Sequence, residues 1–192
     1  MALMAMPCLF FKNPRCMRLT REFYTRDVLE VAPELIGKKL VRRSNGQITF
    51  YYIVEVEAYR GEEDEASHAR FGKTSRNSIM FANGGLVYVY LIYGMYWMLN
   101  IVTGENGKAQ AILIRGLRGF DGPGKLTKAL GIDKSFYGED LDKSDRLWIE
   151  THFEKPAIIH KSRIGIDYAG EPWKSIAWRY ILDDNWGKSY DQ

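Results

Sequence analysis

The segment Leu86–Val102, LVYVYLIYGMYWMLNIV, is the most informative stretch of the chain for the fold. Aromatic and β-branched residues dominate it, which is typical of β-strands and not of a surface helix. Gly94 interrupts the segment near its middle, as a turn residue does between two paired strands. The segment therefore predicts a β-hairpin whose tip includes Tyr93 and Gly94.

The length of the turn decides which side chains of this hairpin share a face. A two-residue turn would pair Asn100 with Val87 and place the amide on the face opposite Tyr88. A three-residue turn over residues 93–95 pairs Asn100 with Tyr88 instead. Because alternate residues of a strand share a face, Tyr90 then joins them. The sequence permits both turns, and the second allows a pocket lined by aromatic rings and an amide.

The remaining segments predict helices combined with antiparallel strands. Apolar residues recur at three- and four-residue steps over residues 18–43, which indicates a helix. Alternating apolar and polar residues indicate a strand over Tyr52–Tyr59, and a polar loop follows over residues 61–74. Further elements are predicted as a strand over Ala111–Gly116, a short helix over Gly124–Leu130 and short strands with turns in the last third. We expect an α+β fold, a single domain with a curved, mostly antiparallel sheet, surrounding helices and a protruding hairpin.

Composition excludes several classes of protein. The chain has 192 residues, of which 46% are hydrophobic and 27% charged, and this content is not that of a disordered or low-complexity chain. The formal net charge of +3 is compatible with a polyanionic partner but does not demand one. A chain of this length can bury enough surface for one self-sufficient domain.

The first residues carry no feature of the predicted domain. The apolar segment MALMAMPCLFF lacks the basic start and cleavage site of a signal peptide and is too short to span a bilayer. The two cysteines, Cys8 and Cys16, form no metal-binding pattern, and a reducing intracellular compartment suits them. We expect residues 1–16 to be an extension or an over-called start, residues 17–192 to form the domain, and the protein to be cytoplasmic.

Glu57, Tyr59 and His68 form the first candidate group for chemistry. Glu57 and Tyr59 lie on the same face of the predicted strand, and His68 follows an acidic loop. Alternating glutamates are also typical of a solvated strand face, and a single histidine after a loop is often structural. The alternative is a carboxylate beside flat rings, which suits a planar substrate and an activated water. With three histidines and no H-E-x-x-H pattern, we expect no metal.

The segment Gly119–Leu126, GFDGPGKL, is close to the phosphate-binding pattern G-x-x-x-x-G-K-[ST]. Leu126 replaces the hydroxyl that would hold magnesium, and Pro123 removes a backbone N–H from the loop. A nucleotide hydrolase is therefore disfavoured. The turn and Lys125 could still bind one phosphate at a helix start, and an ordinary helix start is the equally open alternative.

Several stretches together resemble one known family. In chain order they are VEVEAYRGEEDEASHAR, TSRNSIMF, LVYVYLIYGMYWMLNI, ILIRGL, GPGKLTKALGI and RIGI, from Val54 to Ile166. They resemble the alkyladenine DNA glycosylases, also called 3-methyladenine DNA glycosylases of the animal-enzyme type. The connection from Arg115 to Gly122 is shorter than in the animal enzymes, and their long basic N-terminal tail is missing. The resemblance implies a fold like that of formyltransferase C-terminal domains.

The resemblance also implies roles for individual residues of the pocket. Glu57 would be the general base that deprotonates the attacking water, and Arg115 would help to hold that water. Asn100 would exclude guanine by a clash with its exocyclic amine. The residues implied to sandwich a flipped base are Tyr59, His68 and Tyr90.

Further implied roles concern the contact with DNA. Tyr93, at the hairpin tip, would enter the duplex and fill the gap left by the flipped nucleotide. The residues implied to lie near the DNA backbone are Lys73, Arg76, Met80 and Lys125.

The expected activity is hydrolysis of the N-glycosidic bond of alkylated or deaminated purines in double-stranded DNA. We expect no cofactor, no metal, no strand-cleaving lyase step and no membrane partner, and we expect a monomer from a microbe. A non-catalytic nucleic-acid-binding module of the same fold, for example one resembling the tRNA-binding C-terminal domain of formyltransferases, is the alternative, since a fold does not fix a function.

Overall fold

A computed structural model describes residues 17–152 and 156–183, so the candidate extension 1–16 and its two cysteines lie outside the described residues. In chain order the strands are β1 (Lys39–Ser44), β2 (Gln47–Arg60), β3 (Val87–Ile92), β4 (Tyr96–Thr103), β5 (Gln110–Leu117), β6 (Phe120–Asp121), β7 (Leu147–Glu150), β8 (Ile158–Lys161) and β9 (Arg179–Leu182). The α-helices are α1 (Arg21–Tyr24), α2 (Val28–Leu35) and α3 (Pro123–Leu130), and two short 3₁₀ turns cover Ser78–Phe81 and Lys134–Phe136.

The strands form one open, antiparallel sheet in which β2 is the central element. The order along the sheet is β3-β4-β5-β2-β1-β7, with β6 paired to β5, and β9 paired to both β2 and β8. The first part of β2 pairs with β1, and its second part lies between β5 and β9. The described residues thus form a single α+β domain, as predicted.

The hairpin β3–β4 has the three-residue turn. Tyr88 pairs with Asn100 and Tyr90 with Met98, which is the register that gathers the two tyrosines and the amide on one face. The turn is closed by a hydrogen bond of 3.1 Å from the Met95 N–H to the Ile92 carbonyl. The two-residue alternative is thereby excluded.

The helical prediction over residues 18–43 is only partly right. Helices α1 and α2 occupy part of this range, but Lys39–Ser44 is strand β1. Leu40 and Val41 are consecutive and both buried, whereas Arg43 and Ser44 are exposed, so burial along β1 does not alternate. Without a two-residue alternation, periodicity alone does not distinguish such a strand from the end of a helix.

The helices cover the sheet and close the hydrophobic core. Helix α2 packs on β2, and α3 packs on β4 and β5. Large side chains that are fully buried include Leu35, Ile53, Leu99 and Ile112. In the described part of the chain, no helix has the length and apolar character needed to cross a bilayer. This packing fixes the second half of β2 and the hairpin, which carry the candidate site.

Candidate active site

An open cavity of about 430 Å³ lies between β2, the hairpin and the segment that follows β8. The sheet and the polar loop contribute Tyr59, His68, Leu113 and Arg115 to its wall. The hairpin contributes Tyr88, Tyr90, Tyr93, Met98 and Asn100. The segment after β8 contributes Ile164, Ile166 and Tyr168. Rings and aliphatic side chains thus surround a few polar groups, a composition that is typical of small-molecule pockets.

Glu57 lies behind this wall with a fully buried side chain. Its Oε2 accepts a hydrogen bond of 2.9 Å from the Tyr59 hydroxyl and lies 3.3 Å from Nη1 of Arg115. Its Oε1 accepts a hydrogen bond of 2.8 Å from the backbone N–H of Ile164. The carboxylate is therefore fixed on both oxygens, and Oε1 keeps one lone pair without a described donor.

Burial raises the pKa of Glu57 above its ordinary value. The positive charge of Arg115 and the hydrogen bonds from Ile164 and Tyr59 act in the opposite direction but do not cancel the effect of burial. A carboxylate with a raised pKa is a stronger base than an exposed one, which favours proton abstraction by its ionised form.

Arg115 is held by a second carboxylate that the sequence analysis did not single out. Its Nε donates to Oε1 of Glu55 at 3.2 Å, and the same oxygen accepts from Nη1 of Arg179 at 3.0 Å. The three side chains are about 15% exposed, which keeps their charges only partly solvated. Glu55 alternates with Glu57 on β2, and this spacing was a signal available in the sequence.

The rings predicted to sandwich a base are brought together. The centroids of His68 and Tyr90 are 4.5 Å apart with the planes inclined by 71°, so these two rings meet edge to face. Nδ1 of His68 lies 3.0 Å from the hydroxyl of Tyr88. Desolvation by the pocket walls, with the nearby Arg76 and Arg70, lowers the pKa of His68 to about 4. His68 is therefore a neutral ring at physiological pH.

Asn100 is buried and its amide is fixed by the hairpin. Nδ2 donates to the backbone carbonyls of Tyr88 and Met98 at 3.2 and 3.3 Å. Two carbonyl acceptors select the nitrogen and not the oxygen for this position. The amide thus presents a rigid, fixed outline to the cavity, where Asn100 forms part of the wall.

The hairpin tip projects a ring into solvent. Tyr93 is 85% exposed, and its backbone has a φ of 50°, a left-handed conformation that costs a bulky residue free energy. Gly94, with a φ of 69°, takes the same conformation without that cost. A strained, exposed aromatic residue beside a cavity indicates a functional site.

The basic residues predicted to face DNA are exposed near the cavity. Arg76 lies over the ring of Tyr90 at 5.1 Å, and Lys73 lies 5.8 Å from the ring of Phe81. Lys125 is exposed in the first turn of α3, next to Gly124. Gly124 packs against Tyr96 so closely that an added Cβ would lie 2.8 Å from its ring, which holds this helix start against the hairpin.

Comparison with known proteins finds a matching family model and several similar relatives. The family model described as methylpurine-DNA glycosylase matches residues 22–121 and 118–186. The chain belongs to the methylpurine-DNA glycosylase family. Among its relatives, a protein of Anaeromyxobacter sp. is 44% identical, one of Desulfitobacterium hafniense 43% and one of Methanocella arvoryzae 42%. The matches cover 88%, 88% and 81% of this chain, and 91%, 96% and 90% of the relatives. Each relative is named "Putative 3-methyladenine DNA glycosylase".

One predicted contact of this methylpurine-DNA glycosylase family member lies elsewhere than expected. Met80, expected near the DNA backbone, is 2% exposed and lines the cavity. It packs in a small hydrophobic cluster with Tyr88, because the 3₁₀ turn Ser78–Phe81 directs it inward. Met80 is therefore placed as a wall of the pocket and not as a surface contact.

Two further residues of the candidate site, Ile164 and Tyr168, lie after β8 and were not predicted from the sequence. Ile164 supplies the N–H that binds Glu57, and Tyr168 lines the cavity with its hydroxyl bonded to the Ala66 carbonyl at 3.1 Å. The stretch RIGI was part of the resemblance, but nothing in its composition indicates a role beyond a strand end. Among residues 17–152 and 156–183, no group of three or more His, Cys, Asp or Glu side chains is arranged to hold a metal ion.

Proposed function

We propose that this family member is a monofunctional DNA glycosylase that flips alkylated or deaminated purines out of duplex DNA and hydrolyses the N-glycosidic bond, leaving an abasic site. The observation that carries the proposal is Glu57, a buried carboxylate fixed on both oxygens directly behind a cavity lined by Tyr59, His68 and Tyr90. The partner is double-stranded DNA that contains a damaged purine, and the protein acts as a monomer.

Base flipping is required because a base inside a duplex cannot be reached. Extruding it costs a few kcal/mol, least for a damaged or mispaired base. Stacking on pocket rings returns ~1–3 kcal/mol per base and tolerates varied lesions, since every base has a π-face. Tyr93 offsets part of the remaining cost by entering the duplex at the vacated position, as apolar and aromatic wedges do.

The chemistry follows from the surroundings of Glu57. Cleavage of the glycosidic bond builds positive charge on the sugar, and a fixed carboxylate stabilises that charge without reorganisation. The free lone pair of Oε1 accepts the proton of the attacking water, which Arg115 helps to hold. The other hydrogen bonds of the carboxylate keep it in place during the transfer.

The pocket favours substrates that need no general acid. An alkylated purine is already cationic and leaves readily, whereas a neutral base leaves faster when protonated. His68, with its pKa lowered to about 4, is a neutral imidazole at neutral pH and therefore cannot act as an imidazolium acid. No lysine is found among the described residues that line the cavity, so a Schiff-base lyase step has no nucleophile there.

The alternative is a non-catalytic nucleic-acid binder of the same fold. Such a protein would need the rings and the basic rim but not a desolvated carboxylate, whose burial costs stability. The test is incubation of duplexes containing one 3-methyladenine, 7-methylguanine, ethenoadenine or hypoxanthine, with detection of free base and of alkali-labile sites. The Glu57→Gln variant is the matched control. Absence of release from all four duplexes would reject the glycosylase and favour the binder.

A further inference from the structure

Arg163 and Asp64 form an ion pair in the protein interior, behind the wall of the cavity. Nη1 of Arg163 lies 2.5 Å from Oδ2 of Asp64, and Nη2 lies 2.8 Å from Oδ1. Both side chains are fully buried. Two parallel hydrogen bonds hold a planar guanidinium in one orientation, so the position of its charge is fixed.

The pair connects the three segments that build the base pocket. Nη1 of Arg163 also donates to the Ala58 carbonyl of β2 at 2.9 Å, between Glu57 and Tyr59 in the chain. Oδ1 of Asp64 accepts from the backbone N–H of Ala66 at 3.0 Å, in the loop that leads to His68. The guanidinium is thus anchored to the strand and the loop that present the pocket rings.

The guanidinium lies against the ring of Tyr59. Cζ of Arg163 is 4.8 Å from the centroid of that ring and 5.2 Å from the Trp178 ring. Its Nη2 also donates to the Trp173 carbonyl at 3.3 Å, while its Nε has no hydrogen-bond acceptor in the part of the chain that the structure describes. Tyr59 lines the cavity and Arg163 does not. The cation therefore covers the side of Tyr59 that faces away from the pocket.

A cation on one face of an aromatic ring changes how the other face binds charge. The negative face of a ring attracts a cation by its quadrupole, and this attraction is worth more where water is excluded. The Arg163 guanidinium, which lies against this ring, already draws on that electron density, and the part of its charge that Asp64 does not offset opposes a second cation across the ring. Tyr59 therefore stabilises a bound cationic ligand less than a tyrosine without a guanidinium behind it would. Its stacking with a neutral ring is retained.

We propose that Arg163 is a specificity-determining residue that acts through Tyr59 and lowers the preference of the pocket for cationic purines relative to neutral ones. The inference rests on the proposed function, because it requires a flipped purine against Tyr59. It makes Arg163 a positioning residue with an electrostatic role, distinct from the residues that touch the reacting atoms.

The experiment measures binding, so that it does not depend on excision. Three duplexes have the same sequence except for the base at one position, where each carries a 2′-fluoro nucleotide that resists glycosidic cleavage. That base is 7-methylguanine, which is cationic, hypoxanthine, which is neutral, or undamaged adenine. Affinities for the two lesion duplexes are each divided by the affinity for the undamaged one. The value for 7-methylguanine divided by the value for hypoxanthine is the charge preference.

The variants separate charge from structure. The double variant Arg163→Gln with Asp64→Asn, called the uncharged pair, removes both charges and leaves no unpaired buried ion. If it does not fold, Arg163→Met with Asp64→Leu serves as the uncharged pair instead. Arg163→Lys keeps the positive charge behind Tyr59. Leu35→Ala opens a cavity in the core beneath α2, away from the pocket, and controls for lost stability.

We expect the charge preference of the uncharged pair to shift toward 7-methylguanine by about 3- to 10-fold, a fraction of a desolvated cation–π interaction. Arg163→Lys and Leu35→Ala should keep the preference of the unmodified protein. An unchanged preference in the uncharged pair, or an equal shift in Leu35→Ala, overturns the inference. So does an unmodified protein that binds neither lesion more tightly than adenine. Excision of the same lesions from unfluorinated duplexes is scored separately, and its absence counts against the proposed function alone.

Discussion

The backbone N–H of Ile164 donates a hydrogen bond of 2.8 Å to Oε1 of Glu57, across 107 residues of the chain. The contact brings the segment after β8 against the central strand of the sheet. It supplies a fixed dipole to a carboxylate that is otherwise desolvated, and Ile164 also lines the cavity. The environment of the proposed base therefore depends on two distant parts of the sequence.

Replacing Glu57 by Gln should reduce single-turnover excision by ~10²–10⁴-fold, because the change removes the base and its charge while keeping the shape. Binding to an abasic duplex should survive, since no contact with the DNA is removed. The measurement is a single-turnover time course beside an abasic-duplex titration. Near-normal excision by Glu57→Gln would place the base elsewhere.

The same substitution should change the pH dependence of stability. Burial raises the folded-state pKa of Glu57 above its ordinary value of 4.5, so its contribution to stability is full below that value and is lost as the pH rises through the folded-state pKa. A glutamine does not titrate. The Tm of Glu57→Gln relative to the unmodified protein should therefore rise between pH 4 and pH 8, measured by thermal unfolding across that range. A difference that is constant with pH would contradict the raised pKa.

Glu55→Gln should shift the acid limb of the pH–rate profile to lower pH. The negative charge of Glu55 contributes to raising the pKa of Glu57, and Glu55 shares Arg115 with it. With Glu55 neutral, Arg115 stabilises the ionised form of Glu57 more strongly, so the pKa of Glu57 falls. Single-turnover rates between pH 4 and pH 8 measure the effect. Glu139→Gln, at a carboxylate that pairs with Arg146 instead, is the matched control and should leave the acid limb in place.

Trimming Asn100 to Ser or Ala should raise excision of guanine and alkylated guanine relative to adenine lesions by roughly 10-fold or more. The reason is that a fixed amide would exclude the 2-amino group of guanine by a repulsive contact with the wrong base. The comparison is between 7-methylguanine and ethenoadenine duplexes in the same sequence. An unchanged ratio would leave Asn100 as a wall residue without a role in selection.

Tyr93→Ala should weaken excision from duplex DNA by roughly 5- to 150-fold, which corresponds to the loss of about 1–3 kcal/mol of stacking in the flipped state. The same lesion in single-stranded DNA has little stacking to replace, so the loss there should be far smaller. Both substrates are assayed in single turnover at one low salt concentration, because phosphate contacts make affinity depend on salt.

Tyr90→Ala is the control for Tyr93→Ala, because Tyr90 lines the cavity and its loss should impair excision from both substrates. Equal losses on duplex and single-stranded DNA in Tyr93→Ala would reject the wedge and leave Tyr93 as an ordinary contact residue.

The sequence by itself determined the elements whose signal is local. Aromatic and β-branched density around Gly94 predicted the hairpin, and alternation predicted the strand that carries Glu57 and Tyr59, since both patterns follow from the two-residue repeat of a strand. The motifs from Val54 to Ile166 also identified the family. The resemblance, and not spacing, then gave the pocket residues.

Only the tertiary structure decided the features that depend on residues distant in the chain. The turn length was open until the pairing of Tyr88 with Asn100 fixed it. Strand β1 lies in the range predicted as helix, because the consecutive buried residues Leu40 and Val41 leave no alternation to detect. The places of Met80 and Arg163, and the pairing of Glu55 with Arg115, also depend on the packed chain. Burial and charge pairing across the sheet are properties of the packed chain, so no local pattern encodes them.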